Sequence, residues 1–529
     1  MVKFRNNFII FVSVFAITAA CALVGMQDVK AQEGSMSDLI KRIEALEAKP
    51  GGSNVTAGKI RGLKIGLNLR HRYENRSQDF SAAGRFNGAT AARGAHASRQ
   101  PAKDFTIQRM RLSFDADINK NVMARVMLQD ARTFGETNNA DSNITTNLQR
   151  TDIQEGYVQL RDLGDITPLL TNVQLRIGRW QQGYGNERQI GALGWANQSR
   201  SYDGAKVMYK KGNLWADVFA WQIHENVTGG VDGGGILGAG SNGGTTAAGL
   251  KDTVLYGLYS QYKFGGALEG NLIEPFFIAK AESTDEDRTN AVTQPDKEQR
   301  YSFGFRAAGE NINGLGGLDY TVEPVWQRGK TQTKSAGVFV SDTINAFAIH
   351  AETGYTFKSV PWTPRIGYAY SYASGDDSFG SGSAKTFKQI SPTQHAHNGY
   401  MDVIGWQNMR DHQIHFSVKP TKKLVADVKV HFFKLDEVND AWWNVGGTGM
   451  NRAATVGSNG TFTNASGATE RVDDELGQEI DVTLKYKMFE NFGVVAGYSH
   501  FFAGDYIEDT GGGVDRGIDW FYLQTTVSF

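Results

Sequence analysis

The stretch M-R-L-S-F-D-A-D-I-N-K-N-V-M-A-R-V-M-L (residues 110–128) decides the fold. Apolar residues occupy every second position from Met110 to Ile118, and again from Val122 to Leu128. The polar segment Asn119-Lys120-Asn121 between the two halves is typical of a tight turn. A period of two residues gives a strand one apolar face and one polar face. The stretch therefore predicts an antiparallel hairpin with one face suited to lipid and one suited to water.

The same alternation recurs along the chain from about Leu63 to Phe529, and we count eighteen such segments. The gap after every odd-numbered segment is long, as at Glu225 to Lys251, whereas the gap after every even-numbered segment is short, as at Lys211-Gly212-Asn213. Tight turns on one side and long loops on the other are typical of outer-membrane barrels. The sequence therefore predicts an all-β fold over residues 62–529: a closed, transmembrane, antiparallel β-barrel of 18 strands. An even strand number predicts that both termini are periplasmic.

The chain begins with a segment typical of secreted proteins. Lys3 and Arg5 precede an apolar run from Phe8 to Val24, and Val29-Lys30-Ala31 supplies a cleavage site. This pattern predicts a signal peptide over residues 1–31, with a membrane anchor or a lipoprotein modified at Cys21 as alternatives. Cys21 is the only cysteine, so cleavage after residue 31 leaves a chain without disulfides.

Residues 32–49 are predicted to form a short periplasmic helix. Its apolar residues follow the 3-4-3 spacing of a coiled coil: Met36, Leu39, Ile43 and Leu46. Two heptads are marginal alone, so a homotrimeric coiled coil is one interpretation, and a lone amphipathic helix or frayed tail is the other. Pro50-Gly51-Gly52 ends the helix, and residues 50–61 form a linker to the barrel.

Charge and histidine content exclude several functional classes. The chain has 55 Lys and Arg against 56 Asp and Glu, a balance that argues against a nucleic-acid partner. His395 and His397 form an H-x-H pair, but a third metal ligand is not evident, although Asp402 is near in sequence. No catalytic constellation, metal or cofactor is therefore expected.

The last predicted strand carries a signal of its own. Phe521, Leu523, Val527 and Phe529 share one face, and the chain stops on the aromatic residue. Outer-membrane barrels commonly end in this way, because the barrel assembly machinery reads the final strand. We therefore expect that machinery, and outer-membrane lipid, among the partners.

Two sequence blocks identify a family. The first is V-Q-L-R-I-G-R-W-Q-Q-G-Y-G-N-E-R-Q-I-G from Val173, followed by G-W-A-N-Q-S-R-S-Y-D-G. The second is Ser374-Gly375-Asp376 followed by F-K-Q-I-S-P-T-Q-H-A-H-N-G-Y-M-D-V-I-G-W-Q-N. Leu128-Gln129-Asp130-Ala131-Arg132 and Asp440-Ala441-Trp442 are further matches. Over the whole barrel the chain resembles the alginate-export family, which implies an eighteen-stranded, porin-like channel.

Charged residues on the polar faces, or in the family blocks, are the predicted pore-lining and solute-selecting residues. The cations are Arg70, Arg72, Arg111, Arg125, Arg179, Arg188, Arg200 and Lys206, and the carboxylates are Asp115, Asp130, Glu155 and Asp203. Clustered cations in a narrow lumen attract carboxylates or phosphates. The alternative is that these charges form cross-strand ion pairs that brace the barrel. Tryptophans are predicted to form the interfacial girdle: Trp215, Trp221, Trp442, Trp443 and Trp520.

The sequence thus predicts a passive channel for small or polymeric anionic or saccharide solutes in the bacterial outer membrane. A dedicated conduit for acidic polysaccharide and a structural or adhesive surface protein are the alternatives. A barrel enzyme is disfavoured, because no segment places a Ser/His or Asp/His constellation at one rim.

Overall fold

A computed structural model describes residues 62–77, 103–134, 150–224, 252–283, 298–310, 312, 314–335, 338–378, 382–447, 450–452, 461–463, 469–510 and 517–529. The predicted signal peptide (1–31), helix (32–49) and linker (50–61) lie outside the described residues. In the described part no helix combines the length and apolar character needed to cross a membrane.

Eighteen strands form one sheet. They are β1 (Gly62–Arg76), β2 (Lys103–Asp117), β3 (Val122–Thr133), β4 (Arg150–Leu160), β5 (Val173–Trp180), β6 (Tyr202–Lys211), β7 (Leu214–His224), β8 (Asp252–Lys263), β9 (Asn271–Ser283), β10 (Glu298–Gly309), β11 (Leu318–Ser335), β12 (Val338–Thr356), β13 (Arg365–Ala373), β14 (Met409–Thr421), β15 (Leu424–Leu435), β20 (Glu475–Phe489), β21 (Phe492–Ala503) and β22 (Ile518–Ser528). Four short strands between β15 and β20 form two separate ribbons: β16 (Trp442–Trp443) with β17 (Met450–Arg452), and β18 (Thr461–Thr463) with β19 (Thr469–Arg471).

The sheet closes on itself. β1 pairs antiparallel with β2 over its whole length and, on its other side, with β22 from Asn68↔Ser528 to Arg76↔Trp520. Elsewhere each strand of the sheet pairs antiparallel with the next barrel strand along the chain, including β15 with β20, so each strand of the sheet has a partner on both sides. The predicted closed barrel of eighteen antiparallel strands is confirmed.

The connections are short at one end of the barrel and mostly long at the other. The short-turn end includes 118–121, 212–213, 422–423 and 490–491. Its connection 161–172 contains two short 3₁₀ helices, Leu163–Asp165 and Pro168–Leu170. The long-loop end includes 181–201, 374–408, 436–474 and the helix α1 (Asp505–Asp509).

The prediction of a long gap after every odd-numbered segment is wrong at one hairpin. Only residues 336 and 337 separate β11 from β12, which are 18 and 19 residues long. Residues there that resemble a loop in composition instead continue the two-stranded ladder, as in the pair Lys334↔Phe339.

Side-chain alternation separates an outer wall from an interior. Leu63 and Ile65 of β1 are 52% and 53% exposed, whereas Arg70 and Arg72, on the opposite face, are buried. In a closed barrel the exposed apolar rows form the outer wall, as lipid contact requires. The buried polar rows therefore line the interior.

The tryptophan girdle prediction is wrong for its members. Four members are at most 9% exposed: Trp221, Trp442, Trp443 and Trp520. The fifth, Trp215, stacks on the interior residue Tyr184. The outward aromatic row is instead formed by residues of β10 to β13, whose neighbouring ring centroids are 5.5 to 6.3 Å apart: Phe303, Trp326, Phe347 and Tyr372. Parity along each strand, and not residue type, decides which aromatic rings face outward.

Candidate solute pathway

Two long connections fold into the barrel and meet there. Residues 181–201 contact residues 374–408 through the backbone bond from Gly191 N to Ser391 O, 2.8 Å long. Trp195 of the first connection stacks on His395 of the second, with ring centroids 4.4 Å apart. Because both connections touch inward-facing side chains, they narrow the lumen at this level.

Aromatic packing holds the first connection against the wall. Tyr184 stacks on Tyr259 of β8 with a centroid separation of 4.4 Å, and its hydroxyl donates to Asp217 of β7 at 2.8 Å. Burial of rings of this size is the main apolar contribution that keeps a segment in place. The connection is therefore a packed part of the interior.

Polar contacts hold the second connection. Met401 N donates to the Glu479 carboxylate at 2.8 Å, and Lys429 Nζ donates to Ala396 O at 3.0 Å. His397 lies against Asn186 O at 2.7 Å. Burial and the nearby cations Arg188 and Lys429 lower the pKa of His397 well below its usual value, so this ring is neutral.

An arginine patch faces the first connection. Arg70 of β1 and Arg109 of β2 are directly opposite each other in the register. Arg70 donates to Gly194 O and Ala196 O, both at 2.9 Å, and Arg109 donates to Gly194 O at 3.1 Å.

Arg111 and Arg72 complete the patch. Arg111 donates to Gln129 at 2.8 Å and also to Ser199. Arg72 differs from the other three because it forms an ion pair with Glu74 at 2.7 Å. It also donates to Trp195 O at 2.9 Å and lies 3.8 Å from the Trp195 ring centroid.

The patch carries positive charge that its described partners do not balance. Among the described residues, the hydrogen-bond acceptors of Arg70, Arg109 and Arg111 are uncharged. The Nε atoms of Arg70 and Arg109 are buried and have no hydrogen-bond partner in that part of the chain. Guanidinium groups keep their charge in proteins, so this interior surface is cationic.

Arg109 is absent from the predicted site residues. The same alternation that turns Arg111 inward also turns Arg109 inward, because the two are separated by one residue on β2. The signal was therefore present in the sequence.

Several predicted residues lie inside the barrel as ion pairs. Arg125 contacts Asp115 at 2.7 Å and Glu155 at 2.6 Å. Lys206 contacts Asp217 at 2.9 Å. These charges balance one another, so they brace the wall and leave little net field.

Arg188 and Arg200 belong to the inward connection itself. Arg188 is buried, with its guanidinium carbon 5.7 Å from the Trp406 ring centroid. Arg200 donates to Gly191 O at 3.3 Å and to Pro392 O at 3.1 Å. Both arginines therefore join the two connections to each other.

Three predicted residues lie on the outward side. Arg179 pairs with Asp203 at 2.8 Å, and Arg179 shares its strand face with the exposed Ile177. Asp130 shares its face with the exposed Val126 and bonds Arg132 at 2.6 Å. These residues therefore do not line the interior.

The H-x-H pair does not converge on a common point of contact. His395 Nδ1 lies 3.1 Å from the Asp402 carboxylate, whereas His397 bonds the first connection. Both rings serve packing between the two inward connections.

A buried carboxylate joins the 374–408 and 436–474 connections. Asp440 accepts hydrogen bonds from Asp376 N at 3.0 Å, Thr386 Oγ1 at 2.6 Å and Ala441 N at 2.6 Å. Burial raises the pKa of Asp440 to about 6. The Ser-Gly-Asp and Asp-Ala-Trp blocks of the sequence are therefore two halves of one structural contact.

Comparison with known proteins agrees with this architecture. The family model described as alginate export matches residues 62–225 and 246–517. Comparison with curated protein sequences gives no match.

Solved structures share the barrel fold. Pseudomonas aeruginosa OccK2 (OpdF) in complex with glucuronate has 11% identity and a TM-score of 0.51, covering 89% of this chain and 99% of that one. P. aeruginosa OccK8 (OprE) has 12% identity and a TM-score of 0.51, with the same coverage. P. aeruginosa OpdK with vanillate has 10% identity and a TM-score of 0.50, again with the same coverage. A match over most of the chain, on a closed eighteen-stranded barrel, shows that the chain belongs to the alginate export family.

Proposed function

We propose that this protein is a passive outer-membrane channel for small carboxylated solutes, with uronates as the favoured class. The observation that carries the proposal is the patch of Arg70, Arg109 and Arg111, whose described hydrogen-bond partners are uncharged. A charged site with low-dielectric walls raises the local concentration of counter-ions. Family membership favours transport over catalysis.

The neighbours support the same solute class. OccK2 was solved in complex with glucuronate and OpdK with vanillate, and both ligands carry a carboxylate. Guanidinium groups bind carboxylates by paired hydrogen bonds. We propose that Arg70, Arg109 and Arg111 select the solute, that Arg72, Arg188 and Arg200 position the inward connections beside it, and that Arg125, Lys206, Asp115 and Glu155 brace the wall.

We further propose that the short-turn end faces the periplasm and the long-loop end faces the cell exterior. Short periplasmic turns and long external loops are usual for this class of barrel. Export of an acidic polymer is a second candidate, favoured by the family match. The two inward connections that pack on each other narrow the lumen, which favours small solutes over a polymer.

Solute flux tests the proposal. Mature protein in liposomes is expected to pass galacturonate faster than galactose, which is a neutral sugar of similar size. Replacing both arginines (Arg70→Gln with Arg109→Gln) is expected to lower the ratio of galacturonate flux to galactose flux several-fold. Arg132→Gln is the matched control, because it removes one arginine charge on the outer side. Equal rates for the two sugars in the unsubstituted protein would contradict the proposal.

A further inference from the structure

The arginine patch is occupied by the protein's own backbone. The carbonyl oxygens of three consecutive residues, Gly194, Trp195 and Ala196, accept from Arg70, Arg72 and Arg109. We call residues 193–199 the flap. Its side chain Ser199 adds a contact to Arg111.

Hydrogen bonds between the residues on either side of the flap hold its two ends together, and its middle residues contact the arginine patch. Arg200 N donates to Ala192 O at 2.8 Å, and the Tyr202 hydroxyl donates to Gly191 O at 3.1 Å. Leu193 has a φ of 53°, a left-handed conformation that is uncommon for a leucine. The two ends are therefore anchored separately from the segment that contacts the arginines.

Carbonyl oxygens are weaker partners for guanidinium groups than carboxylates. A carboxylate bears a full charge and accepts two parallel hydrogen bonds from one guanidinium group, which adds both energy and geometric specificity. The present arrangement also includes an unfavourable charge repulsion, because Arg70 and Arg109 carry like charges and lie directly opposite each other on adjacent strands. Their Nε atoms are buried without a partner among the described residues.

We propose that the carbonyls of residues 194–196 stand in for the solute carboxylate, and that a carboxylated solute displaces the flap from the arginine patch. This inference rests on the proposed function and adds a means of regulating the channel: solute binding displaces the flap and so widens the pathway. Displacement must also break the stack of Trp195 on His395 and the bond from Asn197 to Gln108 O at 3.2 Å. A solute shifts this equilibrium only by the difference between its affinities for the two states.

Cysteine accessibility reports flap displacement directly. Ala196 is half-buried, and an Ala196→Cys change retains the carbonyl that contacts Arg70. With Cys21 replaced by serine, the rate of modification by an uncharged thiol reagent is measured with galacturonate or galactose. Galacturonate is expected to raise the rate by about tenfold, which corresponds to about 1.4 kcal/mol of differential binding. Galactose is expected to have no effect.

Two further variants complete the design. Gly194→Cys is the control, because Gly194 is exposed and a Cβ there meets nothing within 4 Å; its rate is expected to change little. Adding Arg70→Gln and Arg109→Gln to Ala196→Cys is expected to give a fast rate that no longer depends on galacturonate. If galacturonate passes the channel but leaves the Ala196→Cys rate unchanged, flap displacement is wrong and the proposed function stands. If galacturonate neither passes nor changes the rate, both are contradicted.

Discussion

Individual charged residues have two different roles in this barrel, and their partners decide which. Arg125 lies between Asp115 and Glu155, whereas Arg70 contacts carbonyl oxygens. Alternation in the sequence predicts that both point away from lipid. It does not predict which of them is neutralised, because Glu155 and Gly194 are distant from their arginines in the chain. The alternation within a strand therefore gives no information about side-chain contacts between residues that are distant in the chain.

Arg125→Gln is expected to lower stability and to leave solute preference nearly unchanged. The substitution leaves two carboxylates without their shared cation. The loss in unfolding free energy should lie between the value of about 1 kcal/mol for exposed pairs and about 3 kcal/mol for buried ones. The midpoint of urea unfolding in detergent measures this loss, with Arg132→Gln as the exposed control. A fall in galacturonate flux as large as that of the Arg70 and Arg109 double variant would show that Arg125 selects solute.

Asp440 is expected to make the contact between the 374–408 and 436–474 connections less stable as the pH rises. Its pKa is raised from 3.8 to about 6, so the folded connections hold the proton more tightly than an unfolded chain does. Below about pH 4 the carboxyl is protonated in both states and burial carries no charge penalty. As the pH rises through 6, the buried carboxylate becomes charged, and the stability of the contact falls by at most about 3 kcal/mol.

Hydrogen exchange at the amides of residues 376–378 and 382–387 tests this sign. After correction for intrinsic exchange, protection is expected to be lower at pH 7.5 than at pH 4.5. Asp440→Asn removes the ionisable group, and its protection is expected to be equal at the two pH values. Greater protection of the unsubstituted protein at pH 7.5 would mean that the hydrogen bonds to the carboxylate outweigh its burial.

At the scale of elements, the strands were predictable and the connections were not. A strand between lipid and water must alternate at every second residue, so its signal is local. The inward course of 181–201 and 374–408 depends on contacts such as Trp195 on His395, which join separate parts of the chain. Part of the error over the tryptophan girdle has the same origin, because Trp442 belongs to a connection that packs against residues 374–408. Trp221 and Trp520 lie on strands, and there parity turns them inward.

One strand position shows how the interior aromatic rings are accommodated. A Cβ on Gly257 of β8 would lie 2.2 Å from Phe277 O and 3.0 Å from Phe219 Cζ. Gly257→Val is therefore expected to force β8 and β9 apart and to prevent stable closure. The fraction of heat-modifiable, folded barrel on a gel measures this effect. Gly493→Val is the control, because Gly493 also lies on a strand, β21, and a Cβ there meets nothing within 4 Å. A folded fraction of Gly257→Val equal to that of the unsubstituted protein would contradict the argument.

At the scale of the whole molecule, closure explains why the strand count could be predicted from sequence alone. Each of the eighteen strands needs two partner strands, one face toward lipid and one face toward water. Every strand therefore shows the same alternating pattern, and the pattern can be counted. The net charge is near zero and gives no indication of the interior field. That field depends on the inward arginines that lack a charged partner in the described part of the barrel, and it is a property of the folded barrel.

The reversal potential of single channels in a potassium chloride gradient tests the central claim most directly. The account predicts that the unsubstituted protein prefers chloride, and that Arg70→Glu with Arg109→Glu moves the reversal potential toward potassium preference, while Arg132→Glu does not move it. A preference for potassium in the unsubstituted channel, or a reversal potential that the paired substitution leaves in place, would contradict an anion pathway through the arginine patch.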